Sequence, residues 1–197
     1  MELFFREYKP AEQHSSAQTI VILHGLFGSS DNWLTQARLL SQLGYNVYTV
    51  DLPNHGLSPH TDTFDYPTMV DAFYVFATEK GLHDFVLIGH SMGGKTAMNV
   101  VMKYPELVSK LIVVDIAPRY YDLEHYVIVD GLNAIDVDTV TSRQEADDKL
   151  SAYVAEADVR QFLLKNLQRK PEGGFSWKIN LPLISSQLKN IGVPVAT

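Results

Sequence analysis

Phe85-Val86-Leu87-Ile88-Gly89-His90-Ser91-Met92-Gly93-Gly94 is the stretch whose reading decides the fold of this 197-residue chain. Its first four residues are continuously apolar and β-rich, as in a strand buried on both faces. Lys95 to Tyr104, which follow, read as a helix. Between them stands Gly89-x-Ser91-x-Gly93. Strand, sharp turn and helix is the setting in which this pattern projects a serine from a strained turn. The glycines two residues either side of the serine let neighbouring backbone pass where a Cβ would block it. By composition alone such a pattern arises in roughly one chain of this size in fifteen, so its setting carries the weight. The bland alternative is a glycine-rich turn that only packs a helix closely on a sheet.

The elements on either side repeat the same alternation. Residues 3–8 suit an edge strand, and Thr19-Ile20-Val21-Ile22-Leu23 is a compact apolar strand. Asp31 is placed to cap a helix whose apolar residues Trp33, Leu34, Ala37, Leu39, Leu40 and Leu43 recur at helical spacing, with Gly44 as its stop. Asn46 to Val50 form the next strand, ending at Asp51, and helical periodicity returns between Pro67 and Lys80. Leu111-Ile112-Val113-Val114 is a further apolar strand, ending at Asp115. Continuous apolar strands alternating with helices predict an α/β fold: a mainly parallel sheet with helices on both faces. Ligands of such sheets bind at the carboxyl ends of the strands. His24-Gly25, Asp51, Ser91 and Asp115 all fall there. From Arg119 the texture changes. Residues 119–180 show no continuous apolar strand and read as helices over about 120–135, 142–156 and 157–167, with Ser142 and Glu145 as a capping box. They look like a helical cap over the carboxyl edge. Ile191 to Val195 resembles the approach to a further core strand.

Composition narrows the function. An apolar content of 46% with 20% charged residues is that of a globular protein, and 197 residues suffice for a substantial core. A net charge of −7 without a basic cluster argues against nucleic acid or an anionic membrane as partner. The absence of cysteine excludes disulfides, cysteine nucleophiles and thiolate metal sites. No apolar run approaches the roughly 20 residues that span a bilayer. The N-terminus lacks a basic start followed by a long apolar stretch, so a cytoplasmic location is expected.

The loops suggest one chemistry. A serine hydroxyl attacks only when a base takes its proton, and the intermediate it forms carries an oxyanion that needs fixed donors. The backbone N–H of Met92, at a helix N-terminus, is one such donor. The second should come from His24-Gly25-Leu26-Phe27-Gly28, with Leu26 as the donor and Phe27 as the alternative. Phe27, His90, Tyr120 and Phe162 are candidate substrate-binding residues, although such aromatics also serve as plain core packing. No metal or cofactor is called for.

Three motifs carry a resemblance. His24-Gly25-Leu26-Phe27-Gly28-Ser29, Asp51-Leu52-Pro53-Asn54-His55-Gly56-Leu57-Ser58 and Gly89-His90-Ser91-Met92-Gly93-Gly94-Lys95 occur in the order found in α/β-hydrolases. They look most like the branch with the bacterial YbfF esterase and the abhydrolase-domain 11 proteins. Val114 to Pro118 and Gln161 to Leu167 extend the likeness, which covers essentially the whole chain. The resemblance implies an α/β-hydrolase core over residues 1–118, a helical cap over 119–180 and the start of the remaining core over 181–197. It implies hydrolysis of carboxylic esters or acyl thioesters through an acyl-enzyme on Ser91, with a small-molecule acyl substrate as partner. It also assigns Asp115 as the acid of the triad, whereas Asp51 lies in a structural turn. Pro53 departs from the pattern, because these relatives usually carry arginine there.

The base is the difficulty. In this fold the catalytic histidine comes last in chain order, and no histidine follows His125. His24 and His55 belong to glycine turns, His90 adjoins the serine, and His14, His60 and His83 sit in loops. His125 could hang over the site from the cap. The expectation is that the last strands, a helix and the base lie beyond residue 197. The alternatives are a hydrolase-fold binding protein without catalysis, or an inactive fragment. A haloperoxidase-like or carbon–carbon hydrolase reaction would use the same serine.

Overall fold

A computed structural model describes residues 1–10, 18–122 and 126–195. Five strands form its main sheet: β1 (Phe5–Tyr8), β2 (Thr19–Leu23), β3 (Asn46–Val50), β4 (Phe85–His90) and β5 (Val108–Val114), in the spatial order β1-β3-β2-β4-β5. β1 runs antiparallel to β3, and all other pairings are parallel. α1 (Leu34–Gln42) links β2 to β3. α2 (Tyr66–Glu79) crosses from β3 to β4, and α3 (Met92–Lys103) follows β4. The order therefore reverses between β2 and β4, and the loops after these two strands meet at the point where open sheets bind ligands.

Side chains alternate across β2 as the pleat requires. Ile20 and Ile22 pack with Val47, Val86 and Ala37 of α1. Val21 and Leu23 face the larger core with Phe73, Phe76, Ala97 and Val100 of α2 and α3. Two covered faces explain why these strands read as unbroken apolar runs. Asp65 caps α2 by accepting from Thr68 N–H at 2.9 Å.

Asp31 is not the cap that the sequence suggested. A 3-10 turn over Ser30–Trp33 precedes α1; Ser29 stands at its start, donating its N–H to Asn32 Oδ1 at 2.7 Å. Asp31 instead forms an ion pair with Arg6 at 2.8 Å.

After β5 the helices are α4 (Tyr126–Asn133), α5 (Arg143–Ser151), α6 (Ala157–Leu163) and α7 (Leu181–Gln187). Ser142 Oγ accepts from Glu145 N–H, as the capping pattern required, but the Glu145 carboxylate turns to Thr141. An all-helical reading of 119–180 is corrected in one place. β6 (Leu167–Arg169) and β7 (Phe175–Trp177) form a small antiparallel hairpin. The segment Ile191–Val195, expected to approach a strand, continues a 3-10 turn over Leu188–Ile191 and then runs irregularly.

Among the described residues no strand lies outside β5, whose Ile112 is 47% exposed. An apolar cleft of 610 Å³ opens nearby between Met98, Met102, Leu111, Pro118, Pro194 and Val195. No helix among the described residues is long and apolar enough to cross a membrane.

Candidate active site

Ser91 follows β4 directly, with φ 51° and ψ −117°, a region that serine seldom occupies. The turn holds because helix and strand close on it. A Cβ at Gly89 would overlap the backbone of Gly93, and one at Gly93 would meet Leu23 O at 2.6 Å. The two glycines therefore let α3 start directly against β4 and β2. Ser91 N–H donates to Val114 O at 3.0 Å, which ties the turn to the end of β5. Met92 begins α3, and among the described residues its N–H has no acceptor.

The loop after β2 reaches the same point. Gly28 N–H donates to Gly25 O at 2.9 Å, closing a tight turn with Leu26 and Phe27 at its centre. Phe27 lies at φ 59°, as the third position of a type II turn requires. A Cβ on Gly25 would stand 3.3 Å from Ser91 Cβ, so this turn lies against the serine. Phe27 N–H is taken by His55 Nε2 at 3.3 Å. Leu26 N–H has no acceptor among the described residues. Of the two donors proposed for this loop, Leu26 is thus the free one.

Two buried histidines lock the turn to the loop after β3. His24 Nδ1–H donates to Gly25 O at 2.8 Å, and its Nε2 accepts from Leu52 N–H at 3.0 Å. His55 Nδ1–H donates to Pro53 O at 3.1 Å. Each ring therefore has one protonated nitrogen and must remain neutral. Burial pushes the His24 pKa down to about 4, and burial with the nearby His24 pushes that of His55 down to about 3. Asp51 accepts from Ser30 N–H and, at 2.8 Å, from Leu57 N–H. A Cβ on Gly56 would collide with that carboxylate, which explains the glycine at φ 58°. With both oxygens on backbone, Asp51 shapes the loop.

Asp115 ends β5 at φ 55°, exposed, one strand away from Ser91 in register with the end of β4. Among the described residues its carboxylate has no hydrogen-bond partner, and no histidine bonds Ser91 Oγ. His125 and His14 lie outside the described residues.

A cavity of 320 Å³ opens between these loops, lined by His90, Leu26, Phe162, Asn32, Trp33 and Gln36 among others. Of the four candidate substrate-binding residues, His90 and Phe162 line this cavity, whereas the Phe27 side chain is buried in the main core and Tyr120 is 62% exposed. The sequence reading missed Asn32, Trp33 and Gln36, because they were counted as the start and periodicity of α1. It also passed over Lys95. This lysine is buried, donates to Gly192 O at 3.2 Å and Val193 O at 2.6 Å, and lies 5.0 Å from the Tyr121 ring centre. Burial lowers its pKa, and Tyr121 opposes that shift. Among the described residues no cluster of three His, Asp or Glu could hold a metal ion.

Topology, crossover order and a serine at positive φ between strand and helix define an α/β hydrolase. Residues 18–167 match the family model of the alpha/beta hydrolase fold, and the chain belongs to that family. It is 42% identical to the sn-1-specific diacylglycerol lipase ABHD11 of Xenopus laevis over 181 residues, covering 87% of this chain and 57% of that protein. With the esterase YbfF of Escherichia coli it shares 34% identity over 192 residues, 97% of this chain and 73% of the relative. A solved marine microorganism esterase superposes with a TM-score of 0.93 at 40% identity, over 100% of this chain and 75% of the other. The chain thus falls in the esterase and lipase branch of the family, and it spans less than three-fifths of the Xenopus relative.

Proposed function

We propose that Ser91 is the nucleophile of a hydrolase that cleaves carboxylic esters or acyl thioesters through an acyl-enzyme. One observation carries the reading. Ser91 is held at φ 51° beside two backbone N–H groups, Leu26 and Met92, that have no acceptor among the described residues. Ordinary packing gives no reason to hold a serine so, whereas an oxyanion gives both donors a partner.

In this reaction a base takes the Ser91 Oγ proton as the oxygen attacks the acyl carbonyl. The carbonyl oxygen becomes an oxyanion between Leu26 N–H and Met92 N–H. Its collapse breaks the bond to the leaving alkoxide or thiolate, which receives the proton from the base. Water then attacks the acyl-serine by the same path, releasing the carboxylic acid and restoring Ser91. Asp115 is the acid that orients the base. The base is a histidine; among the described residues none bonds Ser91 Oγ, and the chain spans 57% of the Xenopus relative. The block 119–180 acts as a cap, since Phe162 lines the cavity beside Leu26 and His90. The cavity of 320 Å³ is lined by Leu26 and His90, next to Ser91 in the fold, and not by Ser91 or Met92 themselves.

Hydrolysis of p-nitrophenyl butyrate and of butyryl-coenzyme A by the full-length protein tests the proposal. Ser91→Ala should lower turnover of whichever is cleaved by at least about a thousandfold. Turnover that survives the substitution removes Ser91 as nucleophile.

A further inference from the structure

Asn166 closes a 3-10 turn at Leu164–Asn166 and is 3% exposed. Its Nδ2 donates to Phe27 O at 2.7 Å and to Leu163 O at 3.1 Å. Both amide hydrogens of a buried side chain are therefore used, one within its own segment and one on the loop after β2, 139 residues away in sequence. A buried amide that bridges two segments in this way fixes one against the other.

The place it grips is specific. Phe27 N–H is bound by His55 Nε2 and Phe27 O by Asn166 Nδ2, so the residue is held on both sides of its Cα. An aromatic residue at φ 59° persists only where its surroundings over-determine it. Relaxation of Phe27 to negative φ would open the Gly25–Gly28 turn, and Leu26 N–H is placed by that turn.

We infer that Asn166 is a positioning residue for acyl transfer, which holds the Leu26 oxyanion donor in place from the cap through its bond to the Phe27 carbonyl. The inference rests on the reading of Ser91 and Leu26 proposed above. It makes the cap part of the apparatus that meets the developing charge, beyond any role as a pocket wall. Asn166 touches no reacting atom, so its loss should weaken transition-state binding and leave ground-state binding nearly intact.

The test compares Asn166→Ala, Asn166→Leu and Ser91→Ala with wild type in the full-length protein, using a p-nitrophenyl ester and a trifluoromethyl ketone of the same acyl chain. Both Asn166 variants should lose about 10- to 100-fold in kcat with KM within about twofold. Ketone affinity should fall by the same factor, since the ketone adduct needs the oxyanion donors. A purely structural asparagine would move melting temperature without this pattern. Wild-type kcat and ketone affinity in either folded variant overturn the inference. Failure of both variants to fold also contradicts it, because Asn166 is then needed to build the cap and not to place a donor. Turnover that requires Ser91 but ignores Asn166 removes this inference alone, whereas turnover that survives Ser91→Ala removes the reading beneath it.

Discussion

A serine at φ 51° costs about 1–3 kcal/mol relative to relaxed backbone, and the fold holds it there by packing α3 against β4 through Gly89 and Gly93. The strained turn at Ser91 was legible because the requirement is local: two glycines, a strand before and a helix after. The turn positions of Leu26 and Met92 were legible for the same reason, and their role as donors belongs to the proposal. Side-chain roles were less so. An aromatic residue in a loop gives no sign of which way it faces, and of the candidates Phe27 and Tyr120 one is buried while the other is exposed. At φ 55° Asp115 occupies a region that asparagine enters as easily, and its carboxylate has no partner among the described residues. Asp115→Asn should therefore keep the melting temperature within a few degrees while kcat falls roughly 10³- to 10⁴-fold, as for an acid that orients a histidine. Unchanged kcat in steady-state assays would remove the assignment.

The loops after β2 and β3 behave as one element. His24 and His55 join them by accepting at Nε2 from Leu52 N–H and Phe27 N–H, bonds that exist only while each ring is neutral. The sequence placed both histidines in glycine turns without revealing that they bond each other's loops, because those contacts cross 28 residues. The short hairpin β6–β7 was illegible for a different reason. Three residues per strand are too few to display a period of two, although Gly173 and Gly174 at φ 99° and 74° mark its turn. A pH dependence follows from the histidines. Their folded pKa values, about 4 and about 3, lie below the unfolded value of 6.5, so the unfolded chain takes up protons first as pH falls. Their stabilisation is complete above about pH 6.5 and is lost between there and pH 4 to 3, at about 1.4 kcal/mol per pH unit for each ring. Urea titrations from pH 7.5 to 4.5 should show this decline, and His24→Asn should flatten it by about one proton. An equal slope in the variant would contradict the role given to His24.

The sheet and its helices form a frame whose two faces are covered while one edge, at β5, is not covered by any described residue. The mainly parallel sheet and its covered faces were legible from the alternation of apolar strands and helices, whereas the strand order β1-β3-β2-β4-β5 was not. The contacts that matter at this scale, such as Asn166 on Phe27 and Lys95 on Gly192, join parts far apart in sequence and leave no local pattern. An apolar sheet edge promotes association. Residues 1–197 expressed by themselves should therefore sediment largely as aggregates, and Ile112→Lys should raise the monomeric fraction several-fold. No change in sedimentation would mean that this edge does not drive association. We propose that this frame presents Ser91 for acyl transfer, and treatment of the full-length protein with a fluorophosphonate, with the adduct mapped by peptide mass spectrometry, tests that proposal. The expected result is a single phosphonyl group on Ser91, absent from Ser91→Ala; a folded, ester-cleaving protein that carries no adduct, or carries it on another residue, would contradict the claim.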